Sequence, residues 1–231
     1  MNDPLPIDLF MTKAAEYLLV IGFLATLVAA WRVLARRPAV AATPLPSGPR
    51  ALTPAGWFGL PLERFYHLGH AWARPTADGL VELGVDDFAQ KLVGRADAIT
   101  LPQAGARLVQ GRPLSRLNIG ARGVDLRSPV DGEVVARNEA LGARPQLVND
   151  DPYGDGWLVR VRPSCWNVDA EDLLQGDEAR RWMAASEDAL QRRMSPGFGL
   201  LLQDGGVPVA GIARVLAGED WDQLAREFLH E

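Results

Sequence analysis

The apolar and polar positions divide the chain into three textures. Residues 17–31, YLLVIGFLATLVAAW, carry no charge, and beyond Glu16 Ala14 and Ala15 extend the apolar stretch toward Lys13. This predicts a single transmembrane helix over about residues 14–33, close to the roughly 20 apolar residues a span needs. Lys13 and Arg32 can snorkel, with Tyr17 and Trp31 at the two interfaces. A cleaved signal peptide and a buried core helix are the competing readings. Against the signal peptide, Arg32, Arg36 and Arg37 come after the apolar run, whereas Asp3, Asp8 and Glu16 precede it. That order resists translocation of the downstream chain. It predicts a single-pass protein of the inner, cytoplasmic membrane, with its C-terminal bulk in the cytoplasm. Residues 35–56 are rich in Ala and Pro without amphipathic period, which predicts an extended linker. At about 3.1 Å per residue it reaches on the order of 65 Å.

From Trp57 the pattern changes to short β-forming runs punctuated by Gly, Pro and Asp. GLVELGV (79–85), ARLVQG (106–111), GEVVARN (132–138) and GWLVRVRP (156–163) are separated by turn signals such as Asp78-Gly79 and Asp131-Gly132. Many short strands at this spacing predict a small, mainly β sandwich or barrel over 57–163. Residues 167–193 turn helical, with Asn167 as candidate N-cap and a second helix from about Asp177 burying Ala179, Trp182, Met183 and Leu190. GLLLQDGGVPVAGIARVL (199–216) reads as a short hairpin around Asp204-Gly205-Gly206. In the closing stretch Trp221, Leu224, Ala225, Phe228 and Leu229 share one helical face. The domain plan is a membrane segment (1–34), a linker (35–56), a folded domain (57–193) and a C-terminal extension (194–231).

Composition narrows the function. A net charge of −5 gives no reason to expect nucleic-acid binding. The 231 residues contain one cysteine, Cys165, so no intramolecular disulfide forms, and no flanking His or Asn marks that thiol as a nucleophile. Lys13 and Lys91 are the two lysines; every other basic residue is Arg. His67 and His70 lie three apart on a predicted strand with His230 as the remaining histidine, which is too little for a metal site. NDDPYGDG (149–156) does not match the order of a calcium loop. Asp86 and Asp87 read as helix-capping residues rather than a catalytic pair. No phosphate loop, nucleophile elbow or Cys/His pair is present, so neither an active site nor a cofactor is expected.

Five ordered blocks carry a family resemblance: YHLGHAW (66–72), LGVDDFAQKLVG (83–94), LPQAG (101–105), SPVDGEVVARNEAL (128–141) and PQLVNDDPYGDGWLVRV (145–161). In order and spacing this resembles the H protein of the glycine cleavage system, over roughly residues 66–160, with 169–190 similar more loosely to its C-terminal helix. The resemblance implies a barrel-sandwich hybrid fold with C-terminal helices and a lipoyl carrier function. It also implies a hairpin, E-S-V-K-A-A-S-D-L-Y-A-P in the family, whose lysine takes lipoic acid. Here that stretch is LNIGARGVDLRSP (117–129). Setting Asp125, Leu126 and Pro129 on their counterparts puts Ala121 at the lysine and Asn118 at the glutamate. Arg122 cannot substitute, because a guanidinium stays protonated and is not an acylable amine.

The expected function is therefore a non-catalytic, membrane-anchored, non-lipoylated subunit that serves as a structural or docking component of a membrane-associated complex. Its expected partners are membrane-bound protein subunits, plus the bilayer through residues 14–33. Arg122, Arg127 and Asn118 are the candidate docking residues. The alternatives are a recruiter or decoy for lipoyl-handling enzymes, and an adaptor of a transport complex.

Overall fold

A computed structural model describes residues 17–24, 26, 56–194 and 210–229. The chain divides into two units, residues 1–49 and 50–231. In the first, residues 17–24 are helical, and Leu19 is 74% exposed. Among the described residues no helix is long and apolar enough to cross a membrane. The expected span of 14–33 runs beyond the described residues on both sides of 17–24, and the linker at 35–55 lies outside them.

Among the described residues of the second unit nine strands build two sheets. They are β1 (Phe65–Tyr66), β2 (Ala71–Pro75), β3 (Val81–Val85), β4 (Ala98–Thr100), β5 (Arg107–Leu108), β6 (Pro113–Ile119), β7 (Arg122–Arg127), β8 (Gly132–Arg137) and β9 (Val159–Pro163). The larger sheet has the order β1-β2-β3-β9-β8-β5 and the smaller β4-β6-β7, all antiparallel. Among the described residues seven α-helices accompany them: α1 (Asp87–Val93), α2 (Ala140–Ala143), α3 (Leu147–Asp150), α4 (Trp166–Asp169), α5 (Gly176–Met194), α6 (Ile212–Ala217) and α7 (Trp221–Leu229).

The β-runs read from sequence fall on β3, β5, β8 and β9. Asp86 does cap α1: its carboxylate accepts from the Ala89 amide at 2.8 Å, satisfying a donor that the first helical turn leaves open. Its other oxygen meets His70 Nδ1 at 2.7 Å, with both residues buried. The His70 ring lies between Phe88 and Trp182, with centroids at 4.2 and 4.5 Å. One imidazole thus ties the β1–β2 turn to α1 and α5. Trp72 forms the centre of the core, fully buried, with its indole N–H donating to the carbonyls of Val85 and Pro152 at 3.0 Å. The Arg64 guanidinium stacks 4.0 Å over the same ring. Burial lowers that guanidinium's pKa, since desolvation disfavours the charged form.

Two readings change. The first helix after the sheets is a single turn, Trp166–Asp169, preceded by Cys165 rather than capped by Asn167. The expected hairpin around 204–206 lies mostly outside the described residues, but Ile212–Ala217 is helix α6, not a strand. Ile212 and Ala213 are buried and Leu216 packs against the core one turn on, a helical spacing that six residues, mostly apolar, leave ambiguous. The α1–α6 junction is tight. A Cβ on Gly94 would stand 2.8 Å from the Gly211 Cα, while Gly211 N donates to the Lys91 carbonyl at 2.7 Å. Trp221, Ala225 and Leu229 of α7 are buried, as the one-faced pattern requires.

Candidate functional site

β6 and β7 form the hairpin that the sequence singles out. Ile119 pairs with Arg122, so Gly120 and Ala121 are the two residues of the turn. Gly120 takes φ 58°, the left-handed value a tight two-residue turn needs at its first central position. Its amide donates to Asp97 Oδ2 at 2.6 Å, which fixes the apex to the chain entering β4. Residues 120–122 are exposed. Ala121 therefore sits at the summit of the hairpin and offers a methyl group there.

The three candidate docking side chains are all engaged within the chain. Asn118 donates to Thr100 Oγ1 at 3.0 Å, stitching β6 to β4. Arg127 donates to the Gly111 carbonyl at 2.6 Å. Arg122 Nη1 donates to Asp222 Oδ1 at 2.6 Å, across 100 residues of sequence. Asp222 stands in the first turn of α7 and also faces Arg226 at 3.3 Å, while Arg226 donates to the Gly123 carbonyl at 3.3 Å. The hydrogen bond from Arg122 holds the Asp222 carboxyl below the usual carboxylate range, with the charges of Arg122 and Arg226 adding to it. Reciprocally, that bond pushes the Arg122 guanidinium up, helped by Asp222, Asp220 and Glu219. The carboxylate-bearing neighbour that suits a tip arginine is thus this chain's own C-terminal helix. Nothing local in the sequence signals that pairing, although the acidic run at 219–222 supplies its chemistry.

Lys91 is the one lysine of the second unit and lies on α1, not on the hairpin. Its Nζ sits 2.9 Å from Asp87 Oδ2 and 3.1 Å from the Trp57 carbonyl, and its side chain is 21% exposed. Glu187 of α5 accepts from the Trp57 amide at 3.1 Å, so both backbone polar groups of Trp57 are fixed. Among the described residues no cluster of His, Cys, Asp and Glu has the arrangement of a metal site. Cys165 is a free, exposed thiol.

The family model "Glycine cleavage H-protein" matches residues 64–186, which include both sheets, the hairpin and the first half of α5. The chain belongs to the glycine cleavage H-protein family. A "Probable glycine cleavage system H protein" of Natronomonas pharaonis is 41% identical over 121 residues, covering 52% of this chain and 94% of that protein. "Glycine cleavage system H protein 2" of Aquifex aeolicus is 34% identical, covering 52% of this chain and 75% of that protein. The crystal structure of a glycine cleavage system H protein from Mycobacterium marinum is 27% identical and covers 55% of this chain and 98% of that one, with a TM-score of 0.48. The H protein is a lipoyl carrier, and proteins of its family are carriers rather than enzymes. Residues 187–231, with the second half of α5, α6 and α7, lie outside the family match. So does the N-terminal unit.

Proposed function

We propose that this chain is a membrane-tethered, non-lipoylated member of the H-protein family that acts as a structural or docking subunit of a membrane-associated complex. The observation that carries the reading is the hairpin apex. Where the family resemblance sets the lipoyl-bearing lysine, Ala121 presents no nucleophile, and the neighbouring Arg122 is engaged by Asp222. A domain without an acyl-accepting amine at its apex has no arm to swing, but it keeps a folded surface for neighbours to hold. The uncharged run 17–31, flanked by Lys13 and by Arg32, Arg36 and Arg37, supports a tether with the folded unit on the cytoplasmic side.

The test is purification of the full chain from native membranes in mild detergent, then identification and quantification of whatever accompanies it. The expected result is the chain in the membrane fraction with one or more subunits at fixed stoichiometry. Protease added outside intact cells should leave the folded unit whole. Recovery in the soluble fraction after gentle lysis, without stoichiometric companions, contradicts the proposal.

A further inference from the structure

Helices α5 and α7, with the β1–β2 turn, line a groove of about 550 Å³. Its floor is Trp182, Ala185 and Ala189 on α5, with Phe228 of α7 opposite and Leu68 of the β1–β2 turn at one side. Leu68 is 48% exposed at the edge of the groove. Ala189, Arg192, Arg193, Glu227 and Phe228 lie beyond the family match, while Leu68, Trp182 and Ala185 lie within it, so the groove forms where this chain's extension meets the family fold.

We propose that this groove is a docking site for an apolar-faced helix of a partner subunit, one that brings a carboxylate to Arg192. The proposal rests on the docking reading above and names its surface. The lining positions on α5 run from Trp182 to Arg193, roughly 16 Å along the helix at 1.5 Å per residue, which matches three turns of an apposed helix. Alanines at 185 and 189 let a backbone come close, and Trp182, Phe228 and Leu68 supply the apolar contact that i, i+3/i+4, i+7 anchors need. Charge at the rim sets the polarity. Arg193 is paired with Glu227, whereas Arg192, exposed beside it, has no ionic partner among the described residues. The groove therefore presents a net positive edge to its occupant.

A photo-crosslinking residue at Ala185 of the full chain, in native membranes, tests this. Val109, which is 50% exposed and does not line the groove, is the control position. The expected result is a crosslink from 185 and not from 109, mapped to a helical, acid-bearing segment of a second protein. Arg192→Glu should lower its yield on the order of tenfold, because like charges now oppose across the rim. Reversing the partner's carboxylate to a cation should restore it. Far-ultraviolet dichroism and the thermal midpoint of Arg192→Glu are expected to match the parent. A crosslink from 185 to residues 195–209 of the same chain, to lipid, to a second copy, or to nothing overturns the proposal. If Ala189→Trp leaves the stoichiometric subunits in place, the groove is not the interface and the docking reading survives. If the parent chain has no such subunits, the docking reading itself fails.

Discussion

His70 occupies a left-handed backbone position, φ 63°, which costs any residue other than Gly or Asn, and its side chain is what offsets that cost. It satisfies one oxygen of the buried Asp86 carboxylate and fills the space between two aromatic rings. His70→Ala keeps the unfavourable backbone and strands the carboxylate, so about 3 kcal/mol of stability should be lost by urea unfolding. His70→Asn, which tolerates the backbone and retains a polar group, should lose less. At the apex the magnitudes run the other way. Ala121 is exposed, and Ala121→Lys should change stability by about 0.5 kcal/mol or less.

Asp222 gives a pH signature at the same scale. Its folded pKa is held below the unfolded value, so the stability its pairing contributes is fully present above the ordinary aspartate value of about 3.9. It is lost as pH falls through the lower value Asp222 has in the fold. A carbon-13 NMR titration should show Asp222 titrating below the ordinary range. In Arg122→Ala it should move up, because the donor that is the largest cause of the shift is gone.

Among the elements, α7 holds the hairpin, with Asp222 accepting from Arg122 and Arg226 donating to the Gly123 carbonyl. It packs on β7 and α1, and its Trp221, Ala225 and Leu229 are buried. Trp221→Ala should cost about 3–5 kcal/mol, as for a buried aromatic emptied into a cavity. An element held this firmly is part of the domain rather than a loose tail. Much of this is legible in the sequence. The one-faced spacing of Trp221, Ala225 and Leu229 announces α7, the turn residues place the hairpin, and Asp86 three residues before Ala89 announces the cap of α1. The sequence does not show where α7 lies, because the Arg122–Asp222 contact joins residues 100 apart and leaves no periodic trace. For the same reason three polar side chains of the hairpin look available to a partner, while the fold engages each of them internally. The hairpin expected over 199–216 does not extend into Ile212–Ala217, because six apolar-rich residues after Ala210-Gly211 fit either a hairpin arm or a short helix.

At the scale of the whole molecule, an apolar N-terminal run and a Pro-rich connection lead to an H-protein-family domain whose apex lacks an amine. Tethering suits a subunit that stays with its complex, whereas a carrier that visits several enzymes gains from free diffusion. The chain should therefore sediment with membranes, and a form beginning at residue 38 should be soluble and retain the cooperative unfolding of the domain. The central claim is the absence of the lipoyl arm in a protein held at the membrane. Intact-mass spectrometry of the full chain recovered from the membrane fraction tests it most directly. The predicted result is the mass of the unmodified sequence, apart from processing at the N-terminus. A lipoyl adduct at any position, Lys91 included, would contradict it.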